Sequence, residues 1–177
     1  RHCMKTVNDM ERIVKDILSA ARMGGSDFKL ERTDLDISRM LQKACRKVMG
    51  RIEDKEMELR QDIQPDFHYA GDTRLLEKVF SNVLDNAVAY SPRGAVVTVT
   101  LQDGVLSVEN SGIHIEQEDL ERLFTPFYRV DKSRNRNSGG SGLGLYITKT
   151  ILDHHGISYS MENTENGVRF TALFRLL

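Results

Sequence analysis

Between Asp72 and Glu109 the hydrophobic pattern changes period once, and that change restricts the chain to a small set of folds. Leu75, Leu76, Val79, Phe80, Val83, Leu84 and Ala87 recur at helical spacing behind Asp72, a residue suited to an N-cap, and Ser91-Pro92-Arg93-Gly94 ends the run. Val96 to Gln102 and Val105 to Glu109 then read as strands on either side of Asp103-Gly104, a two-residue turn whose backbone matches the twist of paired strands. A helix with one apolar face next to an antiparallel hairpin has to bury that face on the sheet.

The flanking segments extend this frame. Val7, Met10, Val14, Ile17 and Ala21 alternate steps of three and four before Gly24-Gly25, the spacing of a helix that packs on another helix. One such helix cannot bury its stripe alone, so its partner is expected outside this chain; the alternative is docking on the domain that follows. The pattern is already under way at Arg1, so the chain reads as part of a longer protein. A second helix starts near Asp34 or Asp36, with Ile37, Met40, Leu41, Ala44 and Val48 on one face and Gly50 weakening it. Glu58 to Ala70 reads as two short strands around Gln64-Pro65-Asp66, and a short helix is expected from Glu118 to Phe124. A helix from about Leu143 to His154 and strands at Ile157 to Met161 and Val168 to Leu173 close the chain. The expected class is α/β (α+β): a two-layer sandwich with helices on one face of a mixed, mainly antiparallel sheet, plus an N-terminal helical stub.

Charge narrows the partners. Lys and Arg number 25 against 26 Asp and Glu, a formal net charge of -1, so no global basic field points to nucleic acid or an anionic membrane surface. An anion site must be local. Cys3 and Cys45 have no CxxC spacing and are expected to be reduced thiols. No apolar run approaches the roughly 18 residues of a membrane helix, and nothing reads as a signal peptide, so this piece is expected to be soluble and not membrane-inserted.

Two sets of residues carry possible chemistry. Asn82 and Asn86 lie four apart and share a helix face beside the buried one. Such amides are either ordinary surface or capping groups, or carbonyl oxygens offered to a hard cation such as magnesium, which takes its remaining ligands from water and phosphate. Gly139, Gly140, Gly142 and Gly144 stand at a predicted helix start, where bare amides and the positive helix end receive phosphate; a flexible hinge explains them equally well. Neither a Walker ending nor a preceding strand is present.

Together these segments resemble the histidine-kinase branch of the Bergerat-fold ATPases. Asp72 to Leu75 and Ser81 to Ala87 look like its N box, Leu123 to Asp131 (LFTPFYRVD) like its F box, and Ser138 to Leu145 (SGGSGLGL) like its second glycine box. The resemblance implies an enzyme, a protein-histidine kinase catalytic domain at 26–177. Residues 1–25 would be a remnant of the second helix of a dimerisation and phosphoacceptor hairpin. ATP and Mg2+ are the implied cofactors. Asn86 would hold magnesium, Asn82 would support the phosphates, Tyr90 would pack on the adenine and Asn110 would accept from its amino group. Gly112 and Ile115 would border the base, and Arg129 would lie near the terminal phosphate. Gly140, Gly142, Leu143 and Gly144 would form the lid end, with Lys132, Arg134 and Arg136 either adding positive charge there or lying in solvent. The gyrase, Hsp90 and MutL branch fits less well, because of the F box and the helical stub.

The chain also departs from the family pattern. The first glycine box reads Asn110-Ser111-Gly112-Ile113-His114 where Asp-x-Gly-x-Gly is usual, Gly167-Val168 replaces Gly-Thr, and Ala89 stands where a lysine is common. These changes predict weakened adenine binding, and they motivate an alternative, a degenerate nucleotide scaffold that biases its parent toward phosphatase activity. None of His2, His68, His114, His154 and His155 sits in an acceptor motif, so the acceptor histidine and its acidic base are expected on a separate helix and no catalytic base is assigned here. The boxes resemble VanS-type sensor kinases of vancomycin resistance most, which implies a cytoplasmic domain of a membrane-bound parent acting on a response regulator.

Overall fold

The computed structural model describes residues 2–130 and 141–175. Helix α1 (His2–Met23) leads into a short strand β1 (Thr33–Asp36), helix α2 (Ile37–Asp54) and strands β2 (Glu58–Ile63) and β3 (His68–Gly71). Helix α3 (Thr73–Tyr90), the hairpin β4 (Val96–Gln102) and β5 (Val105–Ser111), the single turn α4 (Gln117–Leu120), helix α5 (Gly144–His155) and strands β6 (Ser158–Asn163) and β7 (Gly167–Leu173) complete the order. Five strands form one sheet in the order β2-β4-β5-β7-β6, with β2 parallel to β4 and the other neighbours antiparallel. The buried residues of β4 and β5, Val97, Val99, Leu101, Leu106 and Val108, join one core with the apolar faces of α2, α3 and α5. The opposite sheet face is polar, and Arg169 there bridges Glu109 at 2.7 Å and Glu162 at 3.7 Å. This is the expected two-layer sandwich.

Local chemistry sets the boundaries. Asp36 accepts from the Arg39 amide at 2.9 Å and starts α2. That helix passes through Gly50 to Asp54 because Val48 and Ile52 keep its buried stripe going, and packing outweighs the cost of about 1 kcal/mol for one glycine. At α3, Asp72 accepts from the amides of Arg74 and Leu75 at 3.1 and 3.2 Å, while its second carboxylate oxygen accepts from Glu31. At the far end of α3 the Lys55 ammonium donates to the carbonyls of Val88, Ala89 and Ser91, a cation set on the negative end of the helix. Asp103 and Gly104 have φ of 50° and 78°, the mirror-image turn that the sequence requires.

β2 and β3 lie where two short strands are expected, whereas β1 and the short helix differ from expectation. β2 and β3 straddle Gln64-Pro65-Asp66, yet they join different sheets, β2 pairing β4 and β3 pairing β1. Ser38 ties the segment between them to α2: its hydroxyl donates to the Gln64 carbonyl at 2.6 Å and accepts from the Phe67 amide at 3.0 Å. The four-residue β1 carries only one buried side chain, too short a signal to read as a strand. The helix expected from Glu118 to Phe124 is regular only to Leu120 and continues as turns.

Helix α1 docks on the domain through one face and leaves an apolar stripe exposed on another. Met23 is buried, the His154 ring bonds the Met23 carbonyl at 3.0 Å, and Lys78 of α3 pairs with Asp16 at 2.9 Å, so one face docks on the domain. Met10, Val14, Ile17 and Leu18 remain exposed, Met10 at 62%.

His155 links the C-terminal end of α5 to the cap of α3. Its Nε2 accepts from the Asp72 amide at 3.0 Å and its Nδ1 donates to the Ile151 carbonyl at 2.7 Å, an arrangement that needs the neutral ring. Burial, opposed by the Ile151 bond, holds its pKa below the ordinary value. Unfolding frees the ring to take a proton near pH 6.5, so the unfolded chain binds more protons in the window just below that pH. Stability is therefore expected to fall as pH drops through about 6.5 and to level off below the folded pKa. Urea titrations from pH 7.5 to 5 test this, and His155→Gln should flatten that part of the profile.

Candidate functional site

One cavity of about 520 Å³ opens between α3, the loop after β5, the segment before Asp131 and the start of α5. Helix α3 presents Asn82, Asn86 and Tyr90 to it at four-residue steps. The Asn82 amide nitrogen donates to the Gly144 carbonyl at 3.0 Å and to the Thr148 hydroxyl at 3.5 Å. Those bonds tie α3 to α5 and turn the Asn82 carbonyl oxygen away from them as an acceptor. Asn86 differs, because its amide bonds to no described residue although it lines the cavity.

Asn110 closes the other end and is only 7% exposed. Its amide nitrogen donates to the Ser91 hydroxyl at 3.1 Å, and that hydroxyl donates onward to the Ala87 carbonyl at 2.6 Å. The relay fixes which way the amide faces: the nitrogen is spent on Ser91, and the carbonyl oxygen is the group left to accept a bond. Val108, Val168 and Phe170 add an apolar floor. A flat base with an exocyclic amino group fits this combination of apolar walls and one inward acceptor.

The loop after β5 is held by a pair of bonds that the sequence does not announce. The Asn163 side chain accepts from the Ile115 amide at 3.0 Å and donates to the Ile115 carbonyl at 2.7 Å, so Ile115 lines the cavity at a fixed place. Asn163 lies 48 residues from Ile115 and reads locally as a strand-end asparagine, with no signal of this role. Arg129 and Tyr128 line the outer wall, and Tyr128 bonds Asp119, which raises the phenol pKa.

Gly142 has φ +72°, and a Cβ there would meet the Phe127 carbonyl carbon at 2.8 Å. Its own carbonyl accepts from the Phe127 amide at 3.0 Å, so the start of α5 and the Phe127 turn lock backbone to backbone. Gly142 and Gly144 both line the cavity, Gly144 beside Asn82. Leu143 does not: its side chain is buried in the core, and what it offers the region is backbone. Gly112 also stands back from the cavity, where φ +81° and a Pro92 contact at 2.8 Å from a Cβ make it a turn residue. Gly140 and the Lys132, Arg134 and Arg136 run lie outside the described residues. Among the cavity residues that escaped the sequence reading are Lys78 and Asp16. Lys78 was legible in principle, one helical turn before Asn82 on the same face; Asp16 was not, since no pattern places α1 against α3.

A family profile described as histidine kinase-, DNA gyrase B- and HSP90-like ATPase matches residues 71–177. The chain belongs to this ATPase family. Within it, the similar proteins are sensor kinases. Sensor protein VanSB of Enterococcus faecalis is 34% identical over 174 residues, covering 96% of this chain and 39% of the relative. The solved catalytic domain of histidine kinase ThkA superposes with a TM-score of 0.70 at 26% identity, covering 80% of this chain and 93% of that one. The complex of ThkA with response regulator protein TrrA gives a TM-score of 0.75 at 25% identity, over 96% of this chain and 48% of that one. The chain spans about two fifths of the length of VanSB.

Departures from the pattern that the sequence resembles can be located in this cavity. Asn110 stands where the resemblance puts an aspartate, and a neutral acceptor makes a bond roughly half as strong as a charged one. Asn110→Asp is expected to tighten ATP binding by up to about tenfold, since the Ser91 hydroxyl can rotate from Ala87 to donate to the new carboxylate. Calorimetric titration checks this, and unchanged affinity would show that Asn110 already serves as well as the acid.

Proposed function

We propose that this domain binds Mg-ATP and delivers the γ-phosphoryl group to a histidine on a helix that the described chain does not contain. The observation that carries the reading is Asn86: a cavity-facing amide without a described partner, on the same helix face as Asn82, in a cavity that Gly142 and Gly144 also line. Among the described residues no group of three His, Cys, Asp or Glu side chains gathers as a metal site. A hard cation here depends on a neutral carbonyl oxygen together with phosphate oxygens, the ligand set magnesium accepts. Asn86 would supply that oxygen, Asn82 and the amides around Gly140, Gly142 and Gly144 would position the phosphates, and Arg129 would lie toward the terminal one. Asn110 and Ile115 would border the base, with Tyr90 against its face. Magnesium, when bound, neutralises phosphate charge; the chain's own part is positioning, which is most of what phosphoryl transfer asks of a protein.

The partners follow from the same reading. The exposed Met10, Val14, Ile17 and Leu18 stripe suits a helix of the dimerisation and phosphoacceptor hairpin, of which residues 1–25 would be the second arm. A response regulator would take the phosphoryl group onward, as the ThkA complex with TrrA suggests by analogy. No helix among the described residues is long and apolar enough to cross a membrane; a membrane-bound parent of the VanS type, acting in vancomycin resistance, is the assignment that the VanSB similarity favours. The test is titration with Mg-ATP followed by transfer of radiolabelled γ-phosphate to the acceptor helix of the longer protein. Label on histidine supports the kinase, whereas binding without transfer overturns it in favour of a scaffold.

A further inference from the structure

Lys78 precedes Asn82 by one turn and Asn86 by two, so the three side chains line one edge of the cavity in a row. Lys78 is the cation at the end of that row farthest from Asn110. Its ammonium pairs with Asp16 of α1 at 2.9 Å, and Asp16 also lines the cavity with its side chain only 8% exposed, against 37% for Lys78. A carboxylate from a different structural element thus sits nine-tenths buried at one end of the site, aimed at a lysine on the face that carries the two asparagines.

We propose that Lys78 is a ligand for the terminal phosphate of the nucleotide, and that Asp16 competes with that phosphate for its ammonium. Geometry limits Lys78 to the outermost phosphate. Tyr90 and Asn110 mark the base end, Asn86 and Asn82 follow along α3, and Lys78 comes next in the same direction. A lysine is a compact cation on a flexible stem, able to exchange one anionic partner for another by rotamer changes. Asp16 cannot follow it out to solvent, because α1 is held by Met23 and by the His154 contact. Loss of the Lys78 cation from a buried carboxylate is costly, so binding that draws Lys78 away loosens the seat of α1, and a seated α1 resists the terminal phosphate. By linkage the two effects are the same coupling seen from either end. Nucleoside triphosphate and diphosphate then differ in what they do to α1, which converts the γ-phosphate into a signal on the helix with the exposed apolar stripe.

The inference rests on the nucleotide reading above, and the test separates the two. The 177-residue chain is titrated with Mg-ATP and with Mg-ADP in three forms: wild type, Asp16→Asn, and the double variant Asp16→Asn/Lys78→Gln. The double variant is used because Lys78→Gln alone leaves Asp16 buried and unpaired, which risks unseating α1 for a reason unrelated to phosphate. Asp16→Asn is expected to bind Mg-ATP about three- to tenfold more tightly, with Mg-ADP unchanged, and the double variant to lose about tenfold or more for Mg-ATP relative to Asp16→Asn while Mg-ADP shifts less than about twofold. Amide exchange in α1 of the wild type should rise with Mg-ATP and not with Mg-ADP. Equal losses for both nucleotides would overturn the assignment of Lys78 to the terminal phosphate, and an Asp16→Asn variant with wild-type Mg-ATP affinity would overturn the competition. Failure of the wild type to bind either nucleotide would instead overturn the nucleotide reading itself.

Discussion

Asn86→Ala is expected to lose at least about a hundredfold in Mg-ATP affinity, close to 2.7 kcal/mol, with almost no change in folding stability. The separation of the two effects follows from the hydrogen bonds. Asn86 bonds to no described residue, so its removal breaks no internal contact; what disappears is a carbonyl oxygen facing the cavity. Asn82→Ala serves as the contrast, since the Asn82 amide joins α3 to the Gly144 carbonyl and the Thr148 hydroxyl, and its loss should lower stability by about 1 kcal/mol as well as affinity. Calorimetry in magnesium and in excess chelator completes the design. The wild type should weaken sharply when the metal is withdrawn, and Asn86→Ala should show little further loss. If Asn86→Ala responds to chelator as strongly as the wild type, the cation is held elsewhere and the role assigned to Asn86 is wrong.

What the sequence disclosed and what it hid divide along the range of the interactions. Asn82 and Asn86 were legible because a helix period places them on one face, Tyr90 only through the resemblance to a family motif, and the Asp103-Gly104 hairpin because its turn chemistry is local. Asp72 was legible as a cap, yet its second job, accepting from Glu31 while its amide meets His155, joins residues 41 and 83 positions away. The same limit explains Ser38, Lys55 and Asn163. Each is an unremarkable polar residue in its own segment, and each satisfies backbone groups brought to it only by the tertiary fold. The site shows the split most sharply. Asn110 drew notice as a departure from a pattern, but the direction in which its amide points depends on Ser91 and Ala87, which no pattern in the chain connects to it. Leu143 was drawn into the site by its neighbours in a glycine-rich stretch and belongs to the core, since a helix start alternates cavity and interior within two residues.

Phe174 is expected to be the costliest single truncation in the chain: Phe174→Ala should lower stability by about 3–5 kcal/mol, against total stabilities of roughly 5–15 kcal/mol for domains of this kind. The residue lies one position past the end of β7 and is 2% exposed. Three rings converge on it, Tyr69 from β3 at 5.1 Å, Phe80 from α3 at 6.3 Å and Phe67 at 6.4 Å between centroids. Its amide donates to the Gly104 carbonyl at 2.8 Å, and a Cβ at Gly104 would lie 2.4 Å from its carbonyl oxygen, so backbone and ring are both fixed. Removal of the ring leaves a hole that Phe67, Tyr69 and Phe80 cannot fill together, because each is anchored on a different element. The cost therefore includes a cavity as well as lost transfer energy. Met10→Ala, at a position 62% exposed, should shift stability by less than about 0.5 kcal/mol and provides the surface reference. Urea unfolding followed by tyrosine fluorescence and by circular dichroism measures both. A Phe174→Ala cost below about 1 kcal/mol would mean that the cluster relaxes freely, and that the end of β7 is not what fastens the hairpin turn to α3.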